Sequence, residues 1–127
     1  MIVVDTSALM AIVLAEPEAD ACIAALERND EILISAATIA EALIAAGRRD
    51  VSEEMAKLID GFGFDVIAVT QASANRVASA YRRWGRGAQS AGLNFGDCFA
   101  YVVAEEHSCP LLYVGDDFAK TDVKSAF

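Results

Sequence analysis

The chain has 127 residues, enough for one domain with a sizeable core. Apolar residues make up 55% of it, but no apolar run approaches the roughly 18 residues that a membrane-spanning helix needs. The formal net charge of −9 opposes binding to a polyanion by simple long-range attraction.

Short β-branched runs alternate with longer helical segments along the chain. In chain order, the pattern predicts a strand at Ile2–Val4, helices at Thr6–Leu14 and Glu18–Arg28, a strand at Ile32–Ser35, helices at Ile39–Arg48 and Ser52–Phe62, a strand at Asp65–Val69, helices at Gln71–Arg86 and Phe95–His107, and a strand at Leu111–Val114. Short strands separated by longer helices indicate βαβ units. The fold class is therefore α/β, with a parallel sheet covered by helices on both faces.

Two breaks interrupt this pattern. Pro17 follows Glu16 and is expected to split the first helical stretch into two. The segment from Gly85 to Gly92 contains three glycines and is expected to be the longest irregular and most mobile loop.

The cysteines and the amino terminus indicate the compartment. Cys22, Cys98 and Cys109 are odd in number and lack C-x-x-C spacing, which argues against both a disulfide framework and a zinc site. The apolar amino-terminal segment has no preceding basic region and contains Asp5, so a secretory signal is not expected. We expect a cytoplasmic protein with no membrane segment.

Four acidic residues stand at the starts of helices or the ends of strands, and each has an ordinary explanation. Asp5 is suited to capping a helix, and Thr38 with Glu41 matches a capping box. Asp97 lies in a first helical turn, where the helix dipole favours an acid. Asp116 lies in a Gly-Asp-Asp sequence typical of turns.

The common location of the four acids points to chemistry. In a parallel α/β sheet, strand carboxyl ends and helix amino ends meet at one edge, where such sheets bind ligands. If the strands before Asp5 and Asp116 are neighbours, these acids converge with Glu41 and Asp97. Clustered carboxylates repel one another, and a divalent cation relieves that repulsion. Oxygen ligands alone favour Mg²⁺ or Mn²⁺ over zinc.

Polar and basic residues near these acids have candidate supporting roles. Thr6 and Ser7 follow Asp5 and are expected either to orient the carboxylates by hydrogen bonds or to be ordinary first-turn residues. Arginines at positions 82, 83 and 86 are candidates to contact phosphates, with a solvated helix face as the alternative. Local arginine clusters also suit an acidic protein partner.

Other catalytic classes find no support in the residues. The single histidine, His107, lies about 15 Å along the helix from Asp97, which excludes a ribonuclease that uses a pair of histidines. No G-x-x-x-x-G-K-[ST] or G-x-G-x-x-G motif is present, so a nucleotide cradle is not indicated. Cys98 is expected to be inert core.

Four segments together resemble PIN domains, and more narrowly the VapC toxins of bacterial toxin–antitoxin pairs. They are DTSA at 5–8, TIAEAL around Glu41, LNFGDCFAYVVA at 93–104 and LLYVGDDFAKTDV at 111–123. The resemblance runs from Ile2 to Val123. It implies a three-layer α/β/α sandwich with four to five parallel strands, and a single PIN domain over residues 1–127.

The resemblance also implies a site and partners. Asp5, Glu41 and Asp97 match the three firmest acidic positions, with Asp5 and Asp97 as direct metal ligands. Counting from the strand favours Asp116 as the fourth acid, while counting back from Phe118 favours Asp117. The family further implies an RNA substrate, a homodimer, and inhibition by a VapB-type antitoxin whose tail fills the groove.

The leading hypothesis is therefore an Mg²⁺-dependent endoribonuclease. The cation would polarise the scissile phosphate, and Glu41 or Asp116 would orient or deprotonate a water, leaving 5′-phosphate and 3′-hydroxyl ends. A catalytically idle PIN domain that only binds a partner is one alternative. A phosphoacceptor receiver domain is a second, but it requires an acidic pair after the first strand and an Asp after the third, where this chain has Asp5 alone and Val69-Thr70-Gln71.

Overall fold

The computed structural model describes residues 1–87 and 91–127. Its strands are β1 (Ile2–Val4), β2 (Ile32–Ser35), β3 (Asp65–Ile67) and β4 (Leu111–Leu112). Its helices are α1 (Thr6–Val13), α2 (Ala19–Arg28), α3 (Ala36–Arg48), α4 (Ser52–Phe62), α5 (Gln71–Trp84) and α6 (Phe95–His107). The alternation of strands and helices predicted from the sequence is confirmed.

The four strands form one parallel sheet in the order β3-β2-β1-β4. β1 lies between β2 and β4, with Val3 opposite Leu33 on one side and Leu111 on the other. The chain moves outward from β1 to β2 and β3, then returns to place β4 on the other side of β1. This reversal is the point at which open α/β sheets form a ligand crevice beyond their strand carboxyl ends.

Side chains of the sheet divide between two apolar clusters because successive residues of a strand point to opposite faces. Ile2 and Val4 belong to the cluster formed with helices α1 to α4. Val3 belongs to the cluster formed with α5 and α6. Helices therefore cover both faces of the sheet, and the expected three-layer α/β/α sandwich with a parallel sheet of four to five strands is confirmed.

The outer strand β3 differs from the others. β1, β2 and β4 are buried along their whole length, as continuous apolar strands predict. In β3, which lies at one edge of the sheet, Asp65 and Val66 are exposed. A charged side chain on such an edge opposes pairing with another sheet.

Several boundaries differ from the sequence predictions. α3 begins at Ala36 rather than Ile39 because Ser35 caps it directly after β2. α5 ends at Trp84 rather than Arg86, since Gly85 leaves the helix and pairs with Leu93. β3 and β4 end earlier than predicted, at Ile67 and Leu112 respectively, and the first helical stretch divides around Pro17 as expected.

Two further sequence predictions concern membrane-spanning helices and the loop from Gly85 to Gly92. Within residues 1–87 and 91–127, no helix has the length and apolarity needed to cross a bilayer. The expected mobile loop from Gly85 to Gly92 includes residues 88–90, which lie outside the described part, so that prediction stays open.

Candidate active site

Three of the predicted acids line one cavity at the carboxyl edge of the sheet. The cavity has a volume of about 620 Å³, and Asp5, Glu41 and Asp97 contribute to its wall. They come from the end of β1, from α3 and from the start of α6. β1 and β4 are adjacent, as the convergence argument required.

Asp5 combines a capping role with a free oxygen. It is the N-cap of α1, and its Oδ2 accepts hydrogen bonds from the Ser7 amide at 3.0 Å and the Ser7 hydroxyl at 2.7 Å. The interpretation of Asp5 as a helix cap is thus correct for its Oδ2 atom. Asp5 is only 3% exposed, and its buried Oδ1 has no hydrogen-bond partner among the described residues. An unpaired buried carboxylate oxygen is costly unless a cation or water satisfies it.

Asp97 is held in the first turn of α6 by a reciprocal capping box. Its Oδ2 accepts from the Asn94 amide at 3.0 Å, while Asn94 Oδ1 accepts from the Asp97 amide at 2.8 Å. The residue is 7% exposed. Capping therefore fixes the direction of this carboxylate, and the same side chain still lines the cavity.

Glu41 reaches the cavity from the middle of α3 and is not a capping residue. The capping-box explanation for Thr38 and Glu41 is wrong, because Ser35 caps α3 and Thr38 lies inside the helix. Glu41 Oε1 accepts a hydrogen bond of 2.6 Å from the Thr6 hydroxyl. Gly96 makes this approach possible, since a Cβ atom at that position would overlap the Glu41 carboxylate.

The two hydroxyl residues after Asp5 serve different acids. Thr6 bonds Glu41, whereas the Ser7 hydroxyl donates to Asp5 and accepts from the Val114 amide at 3.0 Å. Ser7 thereby joins the segment after β1 to the segment after β4. Both residues are more than ordinary members of a first helical turn.

The structure separates the two candidates for the fourth acidic position by their place relative to the cavity. Asp117 lines the cavity, and Asp116 is not among the lining residues. The charge of Asp117 also contributes to raising the pKa of Asp97. Counting from the strand favoured Asp116, but β4 ends at Leu112, and Gly115 then turns the chain through a positive φ of 99°.

Burial and mutual repulsion perturb the two central carboxyls. Desolvation raises the pKa of Asp5 from 3.8 to about 7, Asp97 and Glu41 add to the rise, and the Ser7 hydrogen bonds oppose it. Desolvation likewise raises the pKa of Asp97 to about 6, against the lowering effects of Asn94 and the Arg86 guanidinium. Such perturbed groups in a cavity are typical of functional sites.

The predicted arginines separate in the structure. Arg82 donates to Ser79, and Arg83 lies 3.4 Å from Asp122 and stacks over Trp84. Arg86 is close enough to the cavity to lower the pKa of Asp97. Of the three candidates, Arg86 is the one that the structure associates with the acids.

Arg48, Gly96 and Phe95 line the cavity but were not among the predicted site residues. Arg48 lies seven positions after Glu41, a spacing that returns to the same face of α3 and was available as a signal. The role of Gly96 depends on its close approach to Glu41 of α3, which no local pattern reveals.

The residues present are suited to a hard divalent cation. Within the described ranges, no three His, Cys, Asp or Glu side chains come together closely enough to hold a metal ion by themselves. Mg²⁺ does not require such a cage, because it retains several waters and commonly binds through one or two carboxylates. The unpaired Oδ1 of Asp5, beside the buried Asp97, fits that mode.

Comparison with known proteins identifies the family. The PIN domain family model matches residues 2–124. Ribonuclease VapC42 of Mycobacterium tuberculosis is 41% identical over 98% of this chain and 98% of its own length. This chain belongs to the PIN domain family, among the VapC ribonucleases. The receiver-domain alternative is therefore wrong.

Solved structures agree with this fold. The VapC20 toxin of Mycobacterium tuberculosis, described as cleaving the sarcin–ricin loop, superimposes with a TM-score of 0.79 at 16% identity, covering 97% of this chain and 96% of that one. A toxin–antitoxin complex from Klebsiella pneumoniae gives 0.74 at 21% identity, over 100% of this chain and 98% of its counterpart. At such identities the likeness concerns the PIN fold alone.

Proposed function

We propose that this PIN domain is the toxin of a type II toxin–antitoxin pair and acts as an Mg²⁺-dependent endoribonuclease. The observation that carries the proposal is the buried Asp5, with an unpaired Oδ1, in one cavity with Asp97. The 41% identity to a VapC ribonuclease over nearly the whole chain supports the same activity.

Each acidic residue has a role in this proposal. Asp5 and Asp97 hold the cation, since both are buried and have one carboxylate oxygen fixed by a local hydrogen bond. Mg²⁺, or Mn²⁺ in its place, supplies charge stabilisation at the scissile phosphate and lowers the pKa of water. Glu41 and Asp117 orient and deprotonate the attacking water from the other walls of the cavity.

Hydrogen bonds from two hydroxyl groups keep these carboxylates in place. Ser7 orients Asp5, and Thr6 orients Glu41, so neither acid has to reorganise when the substrate arrives. Arg86 and Arg48 contact phosphates on either side of the cut. In-line attack by water then leaves 5′-phosphate and 3′-hydroxyl ends.

The negative net charge of the chain favours a partner that carries basic side chains. A chain of charge −9 with a cavity lined by acids suits an antitoxin segment that carries a basic side chain into the groove. The Klebsiella pneumoniae neighbour is itself a toxin–antitoxin complex. We infer an antitoxin of VapB type and a homodimeric toxin. Three free cysteines agree with a reducing cytoplasm as the place of action.

Purified protein incubated with RNA tests the activity. We expect cleavage with Mg²⁺, no cleavage with EDTA, and at least about a 100-fold loss for Asp97→Asn, more than a supporting residue typically contributes. Asp20→Asn is a matched control, since Asp20 also lies in a first helical turn but is exposed and outside the cavity. Cleavage that persists in both EDTA and Asp97→Asn would overturn the metal mechanism, whereas absence of cleavage by the wild-type protein with Mg²⁺ would favour an idle PIN domain.

A further inference from the structure

The side chain of Phe95 lines the cavity but has no part in the chemistry described above. It is the first residue of α6, two positions before Asp97, and it is 71% exposed. A phenyl ring left in water forgoes the stabilisation of burial, and fold stability therefore does not account for it. Ile44, which also lines the cavity, is 58% exposed, and exposed apolar side chains that are grouped, unlike scattered ones, mark binding surfaces.

The ring of Phe95 is oriented by one neighbour. Its centroid lies 5.0 Å from that of Phe99, one helical turn further along α6, with an angle of 85° between the planes. This edge-to-face geometry is a favoured arrangement of aromatic pairs. In a perpendicular pair at least one face of each ring is free of the other, so Phe95 is held in place while a face remains open.

The cavity has a mixed lining of apolar and charged side chains. Ala40, Ile44 and Phe118 line it together with Phe95, and the site carboxylates and Arg48 line the same cavity. A volume of about 620 Å³ leaves room for a nucleotide-sized group. A ligand with a planar apolar part next to a phosphate matches this mixed lining.

We propose that Phe95 stacks on an unpaired nucleobase adjacent to the scissile phosphate and thereby positions the RNA strand in the cavity. This inference rests on the proposed ribonuclease function and assigns one residue that binds its substrate. Bases paired within a helix are already stacked on both sides, whereas unpaired bases are free to stack on aromatic side chains. Such stacking tolerates every base, because each has a π face.

Binding of a fluorescent oligonucleotide tests the inference without requiring cleavage. Single-stranded RNA carrying 2-aminopurine is titrated into the Asp97→Asn protein, in which cleavage is blocked. We expect quenching of the 2-aminopurine fluorescence on binding. Adding Phe95→Leu should abolish the quenching and weaken binding by about 10- to 100-fold, the range found for loss of one stacked base.

Three comparisons separate stacking from a general effect on the site. Phe95→Tyr keeps an aromatic face and should restore both quenching and affinity. Phe127→Leu makes the same change at an exposed phenylalanine, 57% accessible and outside the cavity, and should have no effect. Phe95→Leu should leave the affinity for a blunt-ended RNA duplex unchanged.

The inference is overturned if Phe95→Leu binds single strands as tightly as its parent, or if it weakens duplex binding equally. Equal weakening of duplex binding would show that the ring contributes to the shape of the groove and does not stack on an unpaired base. Failure of the proposed function is recognised separately, since it appears as absence of cleavage by the wild-type enzyme with Mg²⁺. Thermal unfolding of each variant verifies that the fold is intact.

Discussion

Two hydrogen bonds of one hydroxyl group, that of Ser7, connect the segments after β1 and β4. Ser7→Ala removes the hydroxyl bond to Asp5 Oδ2, keeps the bond from the amide of residue 7, and leaves the Val114 amide without the hydroxyl it donates to. We expect cleavage to fall about 10- to 100-fold, the usual effect of losing a residue that orients a metal ligand. RNA cleavage rates measured across a range of Mg²⁺ concentrations test this.

The control for Ser7 is Ser79→Ala. Ser79 is exposed on α5, and among the described residues its hydroxyl accepts only a surface bond from Arg82. That variant should cleave at the wild-type rate. A rate for Ser7→Ala within a factor of two of wild type would show that the Asp5 carboxylate needs no such support.

The adjacent acids Asp116 and Asp117 allow a comparison between two nearly identical substitutions. Asp117 lines the cavity, and its charge contributes to raising the pKa of Asp97. We therefore expect Asp117→Asn to reduce cleavage at least about 10-fold. Asp116→Asn should change it less than about two-fold. Side-by-side assays at saturating Mg²⁺ measure both. The reverse order of effects would restore the assignment of Asp116 that counting from the strand suggests.

At the scale of elements, α3 and α6 approach each other where Gly96 has no side chain. In Gly96→Ala the new methyl group meets the flexible end of Glu41, which is able to swing away. We therefore expect a large loss of cleavage, about 10-fold or more, with little change in the unfolding temperature. Cleavage assays and thermal unfolding of the same preparation provide the two readings.

Gly61→Ala is a matched control for Gly96→Ala. Gly61 lies inside α4, and a Cβ atom there has no neighbour within 4 Å. Alanine at that position should stabilise the helix by roughly 0.5–1 kcal/mol and leave cleavage unchanged. If Gly96→Ala instead unfolds the protein, the contact is part of the packing and not a means of placing Glu41.

Element order was predictable from the sequence, whereas element ends often were not. Alternating β-branched and helical runs suffice to indicate βαβ units, and β1 and β2 were bounded correctly. The start of α3 was missed because the pattern of Thr38 and Glu41 imitates a capping box, while Ser35 is the cap. The choice between Asp116 and Asp117 depended on the turn at Gly115, which the apolar pattern of β4 does not encode.

For the molecule as a whole, the convergence of the acids follows from topology. Parallel strands bring Asp5 to one edge together with the helix starts, and this required no contact information. The Thr6 bond to Glu41, the Ser7 bond to the Val114 amide and the passage left by Gly96 depend on contacts between segments that are distant in the sequence. Sequence patterns do not reveal such contacts.

The buried acids also determine how the stability of the whole molecule depends on pH. The pKa values of Asp5 and Asp97 rise from 3.8 in the unfolded chain to about 7 and about 6 in the folded protein. Between about pH 4 and pH 7 the folded state thus binds more protons than the unfolded state. Without metal, the free energy of unfolding should therefore fall as the pH rises through this window.

Thermal unfolding in EDTA tests the pH dependence. The contribution of these two groups makes the unfolding temperature lower at pH 7.5 than at pH 5, and Mg²⁺ should raise it more at pH 7.5, where the carboxylates are charged. In the double variant Asp5→Asn, Asp97→Asn, both the pH difference and the response to Mg²⁺ should shrink. An equal pH difference in the double variant would assign the effect to other groups.

The sheet order β3-β2-β1-β4 places the first strand of the sequence beside the last. The surroundings of Ser7 and Asp5 are therefore complete only when Val114 and Asp117 are in place. While the ribosome is still synthesising the intervening segments, β1 lacks the neighbour that closes the crevice. A chain that ends before Val114 therefore lacks the hydrogen bond to Ser7 and the acid at position 117, and its cavity wall is incomplete.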